Sequence, residues 1–112
     1  MSRADVRYVI EDGEELARQH PQTFEIPPLA DRARLARGDL AKLVFKPTRK
    51  RDLTERIWVE VTDVHRLGYS TFYRGRLMNG PIAVDTGLAG GDELAFEPRH
   101  VIDILRSGGG AP

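Results

Sequence analysis

Residues 56–64 read Arg-Ile-Trp-Val-Glu-Val-Thr-Asp-Val. Ile57, Val59 and Val61 alternate with Trp58, Glu60 and Thr62, a period of two in β-branched residues that suits a strand with one apolar face. Such a strand needs partners on its edges and a cover over its apolar face. Two flanking segments offer the partners. Residues 35–45 and 88–96 each begin with Leu, pass two residues, reach Gly-Asp and continue through a short apolar run that closes on Phe. Gly supplies positive φ in a turn and the Asp carboxylate accepts nearby amides, so Gly38, Asp39, Gly91 and Asp92 are expected as structural turns.

The remaining elements follow from local chemistry. Residues 6–10 form a short strand-like or irregular lead-in. Asp12 and Glu15 have capping-box spacing, which predicts a short helix from Glu14 to about His20, ended by Pro21. Pro27 and Pro28 hold the chain extended. Residues 29–36 are a helical turn or two. Strands are expected at 40–45, 56–65, 69–78 and 93–96, with a short one at 82–84 and a closing one at 100–105. Gly75 marks a bulge or a close approach, and 46–55 is a polar loop. Glu97-Pro98-Arg99 is a turn. The expected fold is mainly β with some α: a small SH3-like five-stranded barrel, with an OB-like barrel as the alternative. Residues 1–23 form an N-terminal helical extension, 24–105 the barrel, and 106–112 a flexible Gly-rich tail.

Charge is balanced overall, with 17 basic and 17 acidic side chains, so no net field draws the chain to nucleic acid or membrane. Locally it is not balanced. Residues 1–31 carry three basic and seven acidic groups, 32–56 nine and three, and 57–112 five and seven. The absence of cysteine excludes disulfides and thiolate chemistry and fits a reducing compartment. No apolar run reaches the roughly 18 residues of a membrane span, and the N-terminus lacks a signal-peptide core. A cytoplasmic protein is expected.

Candidate binding residues come from the basic segment and the aromatics. Lys46, Arg49, Lys50 and Arg51 crowd one loop, which could meet phosphates or an acidic partner, or simply stay solvated. Trp58 opposes the apolar face and either lines a groove or packs beneath the N-terminal helix or Phe24. Tyr73 and Arg74 lie among Tyr69, Phe72 and Arg76, an interleaving that suits base stacking or plain cross-strand packing. His20, His65 and His100 lack metal-ligand spacing. His65 near Asp63 and Ser70 has no strained turn to present a nucleophile. No spacing selects a carboxylate pair among Glu55, Glu60, Asp85 and Asp92. No catalytic residue, metal site or cofactor is expected.

The segments 38–45, 55–62, 75–81, 91–96 and 101–103 together resemble the small bacterial domain-of-unknown-function family numbered 2314, over roughly residues 24–105. The shared pattern is Gly-Asp-x-x-Lys-x-x-Phe, Glu-Arg-Ile-Trp-Val, Gly-x-Leu-x-Asn-x-Pro and a closing Gly-Asp-x-Leu-x-Phe with Val-Ile-Asp. This chain has Asn79-Gly80-Pro81 where many family members carry a bulkier or acidic residue before Pro. The resemblance implies no activity and no catalytic residues. The functional expectation is a non-catalytic module that binds a protein partner. The alternatives are nucleic-acid binding through 46–51 and an immunity-type protein that neutralises a toxin.

Overall fold

A computed structural model of the chain describes residues 8–48, 54–79 and 88–107. The expectations for 49–53, for the strand at 82–84 and for the last residues of the tail lie outside these. The elements in chain order are β1 (Tyr8–Ile10), α1 (Gly13–Gln19), α2 (Leu29–Arg32), β2 (Leu40–Pro47), β3 (Glu55–Leu67), β4 (Ser70–Leu77), β5 (Glu93–Phe96), a 3₁₀ turn (Pro98–His100) and β6 (Asp103–Leu105). The strands form one antiparallel sheet in the order β1-β2-β3-β4-β5, with β6 also on β2. The sheet curls into a half-barrel, the small β-barrel architecture with α+β character expected from sequence.

The inward face is the alternation read from sequence. Ala41, Leu43 and Phe45 of β2, Ile57, Val59 and Val61 of β3, Tyr73 and Leu77 of β4, and Leu94 and Phe96 of β5 are all buried. Leu35 and Val101 complete the core. β3 and β4 shift register between Val61 and Asp63, because Val61 pairs with Gly75 while Asp63 pairs with Arg74. Thr62 is thus the extra residue of a bulge, and the shift returns Val64 to the core side, opposite Tyr73. Gly75 is a close approach: a Cβ there would stand 2.3 Å from Val59 Cγ1 and 2.9 Å from the Glu60 carbonyl.

The two Gly-Asp segments form one device twice. The Asp39 N–H donates to the Ala36 carbonyl, and Asp92 N–H to that of Ala89. Gly38 and Gly91 both have φ of 92°, and no other residue of either turn has positive φ, so both are type II turns. The Asp carboxylate then accepts the first residue's N–H, Ala36 at 2.8 Å and Ala89 at 2.9 Å. Each turn also docks on a neighbouring strand. The Gly38 N–H donates to Val61, whose own N–H donates to Asp39; Gly91, Leu77 and Asp92 repeat this. Val61 follows Glu60 and Leu77 follows Arg76, and Glu60 pairs with Arg76. The turns are therefore related by the local two-fold of the β3–β4 pair.

The N-terminal segment is tied into the sheet. β1 pairs with β2 through Tyr8–Pro47 and Ile10–Phe45. Asp12 caps α1 by accepting the Glu15 N–H at 3.0 Å, as expected, although the Glu15 side chain turns to Arg18 and Gln19. Gly13 packs against Ile102 so closely that a Cβ would stand 2.8 Å from its Cγ2. The closing strand is also shorter than expected. Glu97 and His100 cap each other reciprocally and wind Pro98–His100 into a 3₁₀ turn, so only Asp103–Leu105 pairs with β2.

Candidate functional site

The outward face of the sheet carries the chain's single Trp. Register sets its neighbours: Asp103 pairs with Lys42 and Lys42 with Trp58, while the Met78 N–H donates to the Trp58 carbonyl. Trp58 is half-buried. Lys42 Nζ stands 4.8 Å from its ring centroid. One row along, the Arg56 guanidinium lies 5.2 Å from the Phe24 ring. Thr23, Phe24, Glu25, Lys42, Arg56 and Asp103 are among the residues lining a polar depression of about 150 Å³ between these stacks, and neither carboxylate reaches ion-pair distance of the two cations.

The electrostatics of this face are uneven. Arg76 pairs with Glu60, Arg74 with Glu93 at 3.3 Å and Lys46 with Glu11 at 3.4 Å. Arg18, Arg32, Arg37, Arg99 and Arg106 also have carboxylate partners. Among the described residues, Arg34, Lys42, Arg56 and Arg66 have none within ion-pair distance; of these, Arg66 donates to the Ala33 carbonyl, while Lys42 and Arg56 rest on aromatic rings. Cation–π contact fixes the position of a cation, at about 0.5–1 kcal/mol when exposed, without consuming its N–H donors.

The residues singled out from sequence are distributed over the molecule. Trp58 is on the outer face, with Lys42 over its ring. Arg74 is exposed beside Glu93. Lys46 is not in a loop, because β1 extends the pairing of β2 to Pro47 and brings Glu11 to its ammonium. Arg49, Lys50 and Arg51 lie outside the described residues. Tyr73 is a correction to the surface reading: it is fully buried. Its hydroxyl donates to the Arg32 carbonyl at 2.7 Å and accepts the Leu35 N–H at 3.3 Å, and burial pushes its ionisation up. Gly38, Asp39, Gly91 and Asp92 are the turn residues described above. Asp39 is buried and also accepts from Ser107 N–H and Arg106.

His65 stacks on Phe72 with ring centroids 4.7 Å apart. Its Nε2 stands 3.2 Å from Asp63 Oδ2 yet makes no hydrogen bond. The Val64 N–H, with His65 and Arg37, holds Asp63 below the usual carboxylate range. Among the described residues no three His, Asp or Glu side chains gather to hold a metal, and no helix is long and apolar enough to cross a membrane.

Sequence reasoning named Phe24 only as a cover for Trp58 and did not single out Lys42 and Arg56 within the basic stretch. Lys42 and Trp58 are equidistant from residue 50, so a hairpin centred there would have paired them. Phe24 over Arg56 carried no such signal, since the intervening chain is irregular. A separate cavity of about 320 Å³ lies where β4 begins and β5 ends, lined in part by Thr71, Phe72, Glu97 and His100. The chain matches no family model, no curated protein and no solved structure.

Proposed function

We propose that this protein is a non-catalytic binding module that engages an acidic segment of a protein partner through the outer face of its sheet. The observation that carries this reading is the pair of stacked cations, Lys42 on Trp58 and Arg56 on Phe24, both without a carboxylate partner among the described residues. An acidic segment would supply the missing carboxylates, and Trp58 would add apolar contact. The strand order supports an SH3-like build, since β6 follows a 3₁₀ turn and returns to β2. The resemblance to family 2314 supports a bacterial source, and the lack of cysteine a cytoplasmic setting.

The test is affinity purification from the native host with wild type and with the Lys42→Glu/Arg56→Glu double variant, each with and without nuclease. The expected result is an acidic protein retained by wild type, lost with the variant and indifferent to nuclease. Nucleic acid retained by wild type and released by nuclease would replace this reading with polyanion binding. A variant that retains the same protein would remove the outer face from consideration.

A further inference from the structure

The cavity between the start of β4 and the end of β5 is built differently from the outer face. His100, 8% exposed, is part of its lining. The Glu97 N–H donates to His100 Nδ1 at 2.9 Å, so that nitrogen is an acceptor and the proton of the neutral ring sits on Nε2. Burial, with Arg99 adjacent, pushes the imidazole below the usual histidine range, against the weaker opposing pull of Glu97 and Asp12. Among the described residues Nε2 makes no hydrogen bond. Phe72, braced by His65, supplies an aromatic wall. Ser70 and Thr71 bring hydroxyls, which can donate or accept.

The charges around the cavity are already matched. The Glu97 carboxylate accepts the His100 backbone N–H and pairs with Arg99 at 3.2 Å. Among the described residues no cation lines the cavity, and burial disfavours protonation of its one imidazole. An anion would find no counter-charge, and a cation would compete with Arg99 for Glu97. A cavity of about 320 Å³ is at the lower end of small-ligand sites.

We propose that this cavity is a binding site for a small, flat, uncharged heterocycle bearing a ring carbonyl or amide, with the ring against Phe72 and its carbonyl oxygen accepting from His100 Nε2–H. The site is independent of the outer face around Trp58. Ser70 and Thr71 would serve the ligand's remaining polar edge.

The experiment is titration of the full chain at pH 7.5 with nicotinamide and uracil, followed by backbone amide shifts in NMR. Benzoate and benzamidine serve as charged probes of similar size. The expected result is saturable shifts at Phe72, Glu97 and His100 with at least one neutral probe, and binding of both charged probes weaker by about tenfold or more. His100→Asn keeps an acceptor for the Glu97 N–H but removes the Nε2 donor, and should weaken neutral-probe binding about tenfold. Ala95→Phe fills the cavity from its exposed wall while leaving His100 in the sequence and should abolish it; this variant decides the matter if His100→Asn does not fold. No saturable shift with either neutral probe, equal binding of a charged probe, or wild-type affinity in the folded variants would overturn the proposal.

Discussion

The Arg32 guanidinium, 5% exposed, meets the Glu14 carboxylate at 2.8 Å across 18 residues of chain. Its remaining donors reach the Pro27 carbonyl at 2.7 Å and the Pro98 carbonyl at 2.9 Å. One side chain thus joins α1, the proline segment and the 3₁₀ turn. Because Arg32 is buried and Glu14 is partly exposed, the two halves of the pair are not equivalent. Arg32→Ala should cost about 3 kcal/mol, through one lost ion pair, a Pro27 carbonyl left without a donor and a Pro98 carbonyl left with the Val101 N–H alone. Glu14→Gln should cost about 1 kcal/mol, since the carbonyls still hold the guanidinium. Urea unfolding midpoints of the two variants check the order; a larger loss for Glu14→Gln would contradict it.

Tyr73→Phe removes only the hydroxyl that bridges Arg32 and Leu35. The ring stays in the core, 5.3 Å from Phe96. A loss of about 1–2 kcal/mol is expected, set by one carbonyl and one N–H without partners. Denaturant unfolding measures it. An unchanged midpoint would mean that the hydroxyl is not satisfying those groups.

Gly75 and Gly91 should respond to alanine for different reasons. At Gly75 the new methyl meets Val59 and the Glu60 carbonyl, and neither can retreat from the sheet. A cost of about 3 kcal/mol or failure to fold is expected. At Gly91 nothing lies within 4 Å of an added Cβ, but φ is 92°. The penalty there is conformational alone, about 1–2 kcal/mol. Thermal unfolding of both variants separates the steric from the conformational effect.

His100 makes stability fall with acid. Its folded-state ionisation is pushed below the ordinary value of 6.5, with burial the largest cause. Below pH 6.5 the unfolded chain therefore takes up a proton that the native imidazole refuses. The stabilisation is complete above the unfolded value and is lost as pH falls through the depressed folded value. Asp12 acts lower. Burial alone would raise it, but the Glu15 N–H and Arg99 outweigh burial and hold it below 3.8, so its contribution is lost only in stronger acid. Between pH 7.5 and 5.5, wild type should lose more stability than His100→Asn, as read from urea midpoints. Equal losses would contradict the assignment to His100.

The core was legible because alternation survives in a single sequence, and every inward residue of β3 ahead of the bulge could be named from it. The paired Gly-Asp turns were legible for a similar reason, since Gly and Asp each have one strong local use there. Their endings were not equivalent, however. Counting from Gly-Asp, Phe96 corresponds to Leu43 and not to Phe45, which stands two residues further on beside β1. The burial of Arg32 had no local signal, because its partners lie 5, 18 and 66 residues away. Tyr73 was left open between stacking and packing because Tyr69, Phe72 and Tyr73 read as one aromatic cluster; strand alternation puts Tyr73 inward and Phe72 outward. Lys42 and Arg56 were legible as cations but not as cations lacking carboxylates, which needs the register of β2 on β3.

The two-fold relation between the Gly-Asp turns bears on how the sheet comes apart. One turn grips β3 at Val61 and the other grips β4 at Leu77, from opposite flanks. Sliding either strand of this hairpin along the other must tear one grip, and the second resists the opposite slide. Fraying from a free end stops at the same two points. The amides of Val61 and Leu77, each bonded to a turn, should therefore be slow to exchange with deuterium, because releasing either one requires a grip to open.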